Sequence, residues 1–567
     1  MNTLITQQGK QLLETDAAPW QTYPRPQMRR DSYVNLNGFW DFAAAETMPE
    51  QYTNAIRVPF PPESLLSGVN RHFPEGTGLY YRRKFSLPEN FNKGRVLLHI
   101  GAADQTAEVY VNQIKVGYHE GGYEAFTLDI THALADENEL VICCRDDLSN
   151  LSFPYGKQVT PKKRGGMWYT PVSGIWQSVW LESVPSEYIR QLNIENREYA
   201  VTISIDPPLP GTVRIEGLGE YALENGAVTI YPEQKHIWSP EDPYLYSFSV
   251  ETDHDKVDSY FAIRHLETKV MDGCPRLYLN GKPYFFHGLL DQGYWPDGLL
   301  TPADPSCFAR DILAMKSLGF NTLRKHIKVE PEQFYYDCDR LGMVVFQDMV
   351  NNGDYDFLRD TALPTVGLQR LNDKHLHRNN KCRTRFLQAM EATVKQLKNH
   401  PCICYWTIFN EGWGQFDSDR VFEIMKGLDS SRFIDSTSGW FRRKKSDVDS
   451  RHVYFRPIRL KAGEKPLVLS EFGGYSYVPK GHAFTEEKNY GYGKFEKVED
   501  FQAALEKLYW EQVIPAYQAG LCAAIYTQVS DVEDETNGLV SYDREVCKAD
   551  PEKMLAIARA LAEPPRG

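Results

Sequence analysis

Along the first third of the chain, apolar and polar residues alternate in short runs broken by turn residues. RVLLHIGAADQTAEVYVNQIKVGYHEGG, AFTLDI, ELVICCRDD and WQSVWLE follow a period near two, which sets successive side chains on opposite faces of a strand. From about residue 35 to 184 this pattern predicts a sandwich or jelly roll. Between about 186 and 267 the runs are shorter: YAVTISID, GTVRIEG, GAVTIYP and YSFSVET. With proline-rich junctions such as 207-PPLP-210, that stretch suits a small immunoglobulin-like sandwich. Neither stretch carries the pattern of a long amphipathic helix.

After about Lys269 the pattern changes to apolar strands alternating with helical periods. Strands are predicted at 284–291, 319–326, 342–348, 402–411, 432–439, 450–456, 466–473 and 521–528. Helical periods occupy 308-FARDILAMKSLG-319, 333-QFYYDCDRLG-342 and 384-TRFLQAMEATVKQLKN-399, and PEKMLAIARALAE closes the chain. Eight strands with intervening helices over some 300 residues predict a (β/α)8 TIM barrel. The connections around the fifth and sixth strands are short and irregular. The expected organisation is multidomain: an all-β jelly roll over 1–185, an immunoglobulin-like β-sandwich over 186–268 and the barrel over 269–567.

A chain of 567 residues, 42% hydrophobic and 25% charged, has the composition of a globular protein with several cores. The formal charge of −13 argues against nucleic acid as a partner, since that function uses a basic face. The amino-terminal MNTLITQQGKQLLETDAAPW lacks the layout of a secretory signal, and no apolar run reaches membrane-spanning length. Ten cysteines, among them Cys143, Cys144, Cys402 and Cys404, follow neither disulfide nor zinc spacing, so reduced thiols and a cytoplasmic location are expected.

The candidate chemistry lies at the strand ends. In 402-CICYWTIFNEGWGQF-416 an apolar run stops at Asn410 and Glu411, and 466-PLVLSEFGGYSY-477 ends likewise in Glu471. Asp291, Arg324, His326, Asp348 and Tyr454 follow the apolar parts of other strands, on the face where such barrels carry their active sites. One glutamate so placed is commonly a surface or ion-paired residue. Two, ending the fourth and seventh strands, can meet across the barrel mouth. Carboxyl groups about 5–5.5 Å apart serve a retaining glycosidase as nucleophile and acid/base.

The chain resembles glycoside hydrolase family 2, the β-galactosidases, β-glucuronidases and β-mannosidases. The resemblance is carried in order by 25-RPQMRRDSYVNLNGFWDF-42, 166-GMWYTPVSGIWQSVWLE-182, 278-YLNGKPYFFHG-288, 320-FNTLRKH-326, 409-FNEG-412 and 468-VLSEFGG-474. It implies a sugar-binding role for the jelly roll and cleavage of a terminal β-linked sugar with retention. It also implies Glu411 as acid/base, Glu471 as nucleophile, Asn410 as ligand of the 2-hydroxyl, Tyr454 as partner of the nucleophile and His326 in the sugar pocket. Arg324 is expected to hold Glu471 ionised, and Glu411 to arrive protonated. Trp413 and Trp440 are candidate stacking platforms, with plain packing as the alternative. The family commonly forms dimers or tetramers.

The sugar is less defined. Family β-glucuronidases grip the substrate carboxylate with an Asn-x-Lys pair, but this chain has Glu535 and Asn537 in 535-ETNGLVSYDRE-545 at that place. Mannosidase-type Gly-Trp-Asp-Trp motifs are missing, so a neutral β-galactoside leads by elimination. The acidic run 531-DVEDE-535 suits hydroxyl recognition or is a solvated loop, and the basic run 442-RRKK-445 leaves an acidic sugar open. The Glu-x-His arrangement that holds magnesium in some relatives is absent after strand three. Asp348 and Asp354 remain as other ligands, His375 and His377 are expected at the surface, and 351–383 is expected to shape the aglycone site. A carbohydrate-binding protein or an inactive barrel are the non-catalytic alternatives, disfavoured because Asn410, Glu411, Tyr454 and Glu471 are all present. No cofactor or metal is expected, which predicts hydrolysis rates unchanged by a chelator.

Overall fold

The computed structural model describes residues 3–159, 161–363, 373–441, 443–487 and 489–564. In the amino-terminal region, a six-stranded antiparallel sheet runs in the order Asn54–Val58, Gly38–Ala45, Gly78–Phe85, Asn138–Arg145, Thr106–Val111 and Ile114–Glu120. A four-stranded sheet holds Tyr33–Asn35, Val179–Val184, Arg95–Ile100 and Phe126–Asp129. Residues of both, such as Phe42, Tyr81, Leu98, Ile142 and Leu181, share one core. The alternation expected of a half-buried strand is clear in Thr106–Val111, where every second side chain is buried.

A second all-β unit pairs a three-stranded sheet (Gln191–Arg197, Ala200–Asp206, Ala227–Ile230) with a four-stranded one (Gly219–Leu223, Gly211–Ile215, Tyr246–Glu251, Lys256–Phe261) around its own core. The strand Leu266–Met271 pairs with Cys274–Leu279, so the expected division at 268 falls inside a hairpin. That hairpin docks on the barrel through Arg276, which donates to the carbonyls of Tyr517 and Leu521.

Eight parallel strands, numbered β1 to β8, form the barrel: Phe286–Asp291, Thr322–Lys325, Val344–Asp348, Ile403–Asn410, Phe433–Ser438, Asp449–Val453, Leu467–Gly473 and Leu521–Thr527. Pairing runs from β5 back to β1, then through β8 and β7 to β6. The sheet closes everywhere except between β5 and β6, the two strands with irregular connections in the sequence. Side chains bridge that seam: Ser438 Oγ lies 3.5 Å from Ser450 Oγ and 2.8 Å from His452 Nε2. The expected helices are present as Ser306–Ser317, Glu332–Leu341, Asn380–Leu397 and Pro551–Ala562, joined by Ser418–Leu428 and Val498–Leu508.

The amino-terminal segment does not stay with the first β unit. The helix Gln7–Leu13 is capped by Thr6, whose hydroxyl also donates to Asp297 of the barrel at 2.6 Å. Arg30 then ties the β units together. It is buried, donates to Asp255 at 2.7 Å, and meets Glu182 at 3.3 Å, a carboxylate that Arg25 also reaches at 2.8 Å. Among the described residues, no helix is long and apolar enough to cross a membrane.

Removing one partner of a buried ion pair leaves the other charge uncompensated, at about 3–5 kcal/mol. Arg30→Met should therefore lower the urea midpoint of the first unfolding transition by a corresponding amount. An unchanged midpoint would show that Arg25 alone suffices for Glu182 and that Asp255 finds another donor.

Candidate active site

The carboxyl ends of β4 and β7 bring two acids together. Glu411 directly follows β4, and its backbone N–H donates to the Ser438 carbonyl at 2.9 Å. Its φ of +50° is left-handed, uncommon for a residue with a side chain, and Gly412 (+80°) continues the turn. A Cβ on Gly412 would come within 2.3 Å of the Phe441 ring, so the turn needs glycine for space as well as conformation. Glu471 sits within β7, where the register against β6 and β8 shifts, and shifts of this kind re-aim side chains. Oxygens of the two carboxylates lie within 4.8 Å of each other.

Both acids are almost wholly buried, and each is held. Arg324 Nη1 donates to Glu471 Oε1 at 2.9 Å, and the Tyr454 hydroxyl donates to Oε2 at 2.6 Å. His452 stands between the acids, its Nδ1 2.8 Å from Glu411 Oε1 and 3.5 Å from Glu471 Oε2. Burial pushes the Glu471 carboxyl up, but His452 and then Arg324 outweigh it and hold it well below the usual carboxylate range. The nucleophile candidate is thus anionic across the working pH range.

Around this pair, Arg324 also donates to Asp348 Oδ1 at 3.0 Å, Asn410 Oδ1 at 2.8 Å and the Ser470 carbonyl at 3.0 Å. The Asn410 carbonyl oxygen is therefore occupied, leaving its amide N–H groups as the donors for a ligand. His326 Nδ1 is 2.7 Å from Asp348 Oδ2. Burial lowers the His326 imidazole to about 4, so at neutral pH Nδ1 carries the proton toward Asp348 and Nε2 is an acceptor. Tyr454 stacks on Tyr492 with centroids 3.9 Å apart.

Of the residues expected on this rim, Arg324, His326, Asp348, Asn410, Glu411, Tyr454 and Glu471 form one connected network. Asp291 does not join it; its carboxylate pairs with Lys325 at 2.7 Å. Trp413 is fully buried and stacks on Trp168, which makes it a wall. Trp440 sets its ring edge-on to His452 at 5.5 Å. The expected surface position of His377 is corrected: only 4% of its side chain is exposed and Nδ1 lies 3.2 Å from Asp354, whereas His375 is exposed. Within the basic run, Arg442 and residues 364–372 of the expected aglycone segment lie outside the described residues. Arg443 pairs with Asp373 at 3.2 Å and Lys445 with Glu423 at 2.6 Å.

Several contacts come from the first β unit, and the residue patterns did not point to them. Residues 151–159 and 161–170 reach the barrel mouth. Tyr155 donates its N–H to the Asn351 carbonyl at 3.0 Å, and Arg164 meets Glu533 at 2.8 Å. The Tyr169 hydroxyl donates to Glu535, whose other oxygen accepts from Asn537 at 3.0 Å. The run 531–535 is therefore a buried, hydrogen-bonded segment and not a solvated loop. His452 was also missed, because in SRHVYFR it occupies an ordinary strand position. A cavity of about 980 Å³ opens elsewhere, near Tyr23, Asp31, Arg214 and Tyr336.

Among the described residues, Glu411, His452 and Glu471 alone form a group whose donor atoms are close enough to hold a metal. Both oxygens of Glu471 already accept from Arg324 and Tyr454, and a second cation would meet the guanidinium. That donor set suits a proton-handling site better than a metal centre.

The chain belongs to glycosyl hydrolase family 2: the family's TIM barrel domain matches residues 269–552 and its sugar binding domain residues 51–185. It is 25% identical over 527 residues to a β-galactosidase of Thermoanaerobacter pseudethanolicus, covering 82% of this chain and 65% of that protein. The chain therefore spans just under two thirds of that relative's length. It is also 25% identical over 545 residues to the β-glucuronidase of Homo sapiens, covering 80% of this chain and 79% of the relative. In fold it is similar to the solved β-D-glucuronidase of Dictyoglomus thermophilum, with a TM-score of 0.73 at 18% identity, covering 96% and 99% of the two chains.

Tyr454→Phe removes one of the donors that hold Glu471 anionic. A depressed carboxyl is functional above its native pKa and lost as pH falls through it, so raising that pKa narrows the range from the acid side. The acid limb of the kcat/KM profile should move up by about one pH unit. An unmoved limb would mean that another group sets it.

Proposed function

We propose that the protein is a retaining exo-β-glycosidase acting on terminal neutral β-linked sugars, of which β-galactosides are the leading class. The observation that carries this reading is the approach of the Glu411 and Glu471 carboxylates to within 4.8 Å, with Glu471 held anionic. That spacing is shorter than inverting enzymes use to seat a water between base and sugar, and it supports direct attack by one carboxylate.

In the first step a Glu471 oxygen bonds to the anomeric carbon as the bond to the leaving oxygen breaks, and the Glu411 proton passes to that oxygen. In the second step Glu411 takes a proton from water, whose oxygen displaces Glu471. His452 contacts both acids and suits a proton-sharing role with Glu411 as the charge on Glu471 disappears and returns. Asn410 offers its amide N–H groups to the 2-hydroxyl, and Arg324 fixes Asn410 and the nucleophile in one plane of donors. Donors aimed at developing charge from a buried frame act without reorganising, which is the larger part of such catalysis.

For the sugar, Glu535 supports a neutral substrate. It is 3% exposed and lies within electrostatic reach of Glu471, so a substrate carboxylate at that point would meet two anions. The second reading, a uronide, is favoured by one observation, the nearly buried ammonium of Lys157 beside Trp413, together with the β-glucuronidase names of several relatives.

Glu471→Gln should abolish turnover of every glycoside that the parent cleaves. Glu411→Ala should still be glycosylated by nitrophenyl substrates, with azide restoring the second step and giving a β-glycosyl azide. Proton NMR of the first product should show the β-anomer. An α-product, or equal losses on activated and unactivated substrates without azide rescue, would remove the two-step mechanism.

A further inference from the structure

We infer that Lys157 of the amino-terminal β unit and Glu535 after β8 form a split ion pair that one hydroxyl of the bound sugar closes. This deepens the neutral-sugar reading and rests on it. Lys157 is 6% exposed, and its Nζ lies 4.8 Å from the centroid of Trp413, two residues beyond the acid/base candidate. Among the described residues, no carboxylate oxygen approaches this ammonium within 4.0 Å. The face of Trp413 does not satisfy the ammonium N–H groups as an acceptor would, so they are available to a ligand.

Glu535 is the acidic residue placed to answer this ammonium. Tyr169 donates its hydroxyl to Glu535 and its backbone N–H to the Lys157 carbonyl at 3.1 Å, so one residue positions both members of the pair. Burial raises the Glu535 carboxyl above its ordinary value, and Lys157 is the foremost influence opposing that rise; the same ammonium also bears on His326. Lys157 beside Trp413 and Glu535 under Tyr169 are both brought to the barrel mouth, and among the described residues they form no direct ion pair. An alcohol is both donor and acceptor, so a sugar hydroxyl can donate to the carboxylate while accepting from the ammonium. A carboxylate in that gap would satisfy Lys157 but press against Glu535.

The test is a series of monodeoxy nitrophenyl glycosides built on the sugar that the parent enzyme turns over best. One deoxy position should cost the parent about 10- to 100-fold in kcat/KM, as expected for hydrogen bonds to charged groups. In Lys157→Met and in Glu535→Gln, the penalty at that same position should fall below about threefold, while penalties at the other positions persist. Lys157→Arg should retain it. Each penalty is a ratio within one variant, so partial misfolding does not affect it. Unchanged penalties in both variants would overturn the inference. So would selective loss, in Lys157→Met, of activity on a uronide that the parent prefers. Failure of the glycosidase reading would show separately, as turnover surviving in Glu471→Gln. If the parent turns over no glycoside, the same deoxy series of free sugars, titrated calorimetrically, reads the coupling directly.

Discussion

The active face is organised around one buried cation. Arg324 is 1% exposed, and its guanidinium meets Asp348 on β3, Asn410 on β4, and Glu471 with the Ser470 carbonyl on β7. A guanidinium in a barrel interior is expensive unless its donors are spent, and here the planar fork spends them on three other strands at once. Lysine could not replace it, because a point charge cannot span Asp348, Asn410 and Glu471 in fixed directions. The two anions keep Arg324 charged and Arg324 keeps them ionised, so the network is stable only as a whole.

That network makes specific demands on the strands opposite. β5, β6 and β7 place Ser438, Ser450 and Ser470 inward, hydrogen-bonded to one another at 2.6–3.5 Å. Small hydroxyls leave the volume in which His452 stands between the acids. Apolar side chains there would close the β5–β6 seam with better packing but would displace the imidazole. The imperfect closure of the barrel and the placing of an imidazole between the two acids are thus two consequences of the same residues.

The parts legible in the sequence are those whose cause is local. Apolar runs ending in a charged residue exposed β4 with Glu411 and β7 with Glu471, and Arg324 and Tyr454 could be placed by the same pattern. The weakness foreseen at the fifth and sixth strands corresponds to the one pair that does not hydrogen-bond. What escaped was set by contacts distant along the chain. His452 has no local mark, Asp291 sits at a strand end like the others yet turns to Lys325, and Lys157, Trp168 and Tyr169 act on residues hundreds of positions away. Acidity in 531–535 reads as solvation until Arg164, Tyr169 and Lys548 are brought to it by the fold.

Those distant contacts also explain why a β unit with a complete core of its own remains joined to the barrel. Without residues 164–169, the barrel mouth would lose Arg164 from Glu533, Tyr169 from Glu535 and Trp168 from Trp413. Three buried partners would then face water at once. Glu535 would then be hydrated, and electrostatic contacts made in water are worth a fraction of those made in a dry cleft. The β unit therefore acts as a wall that sets the dielectric of the site. The environment of the two glutamates depends on that wall as much as on the strands that carry them.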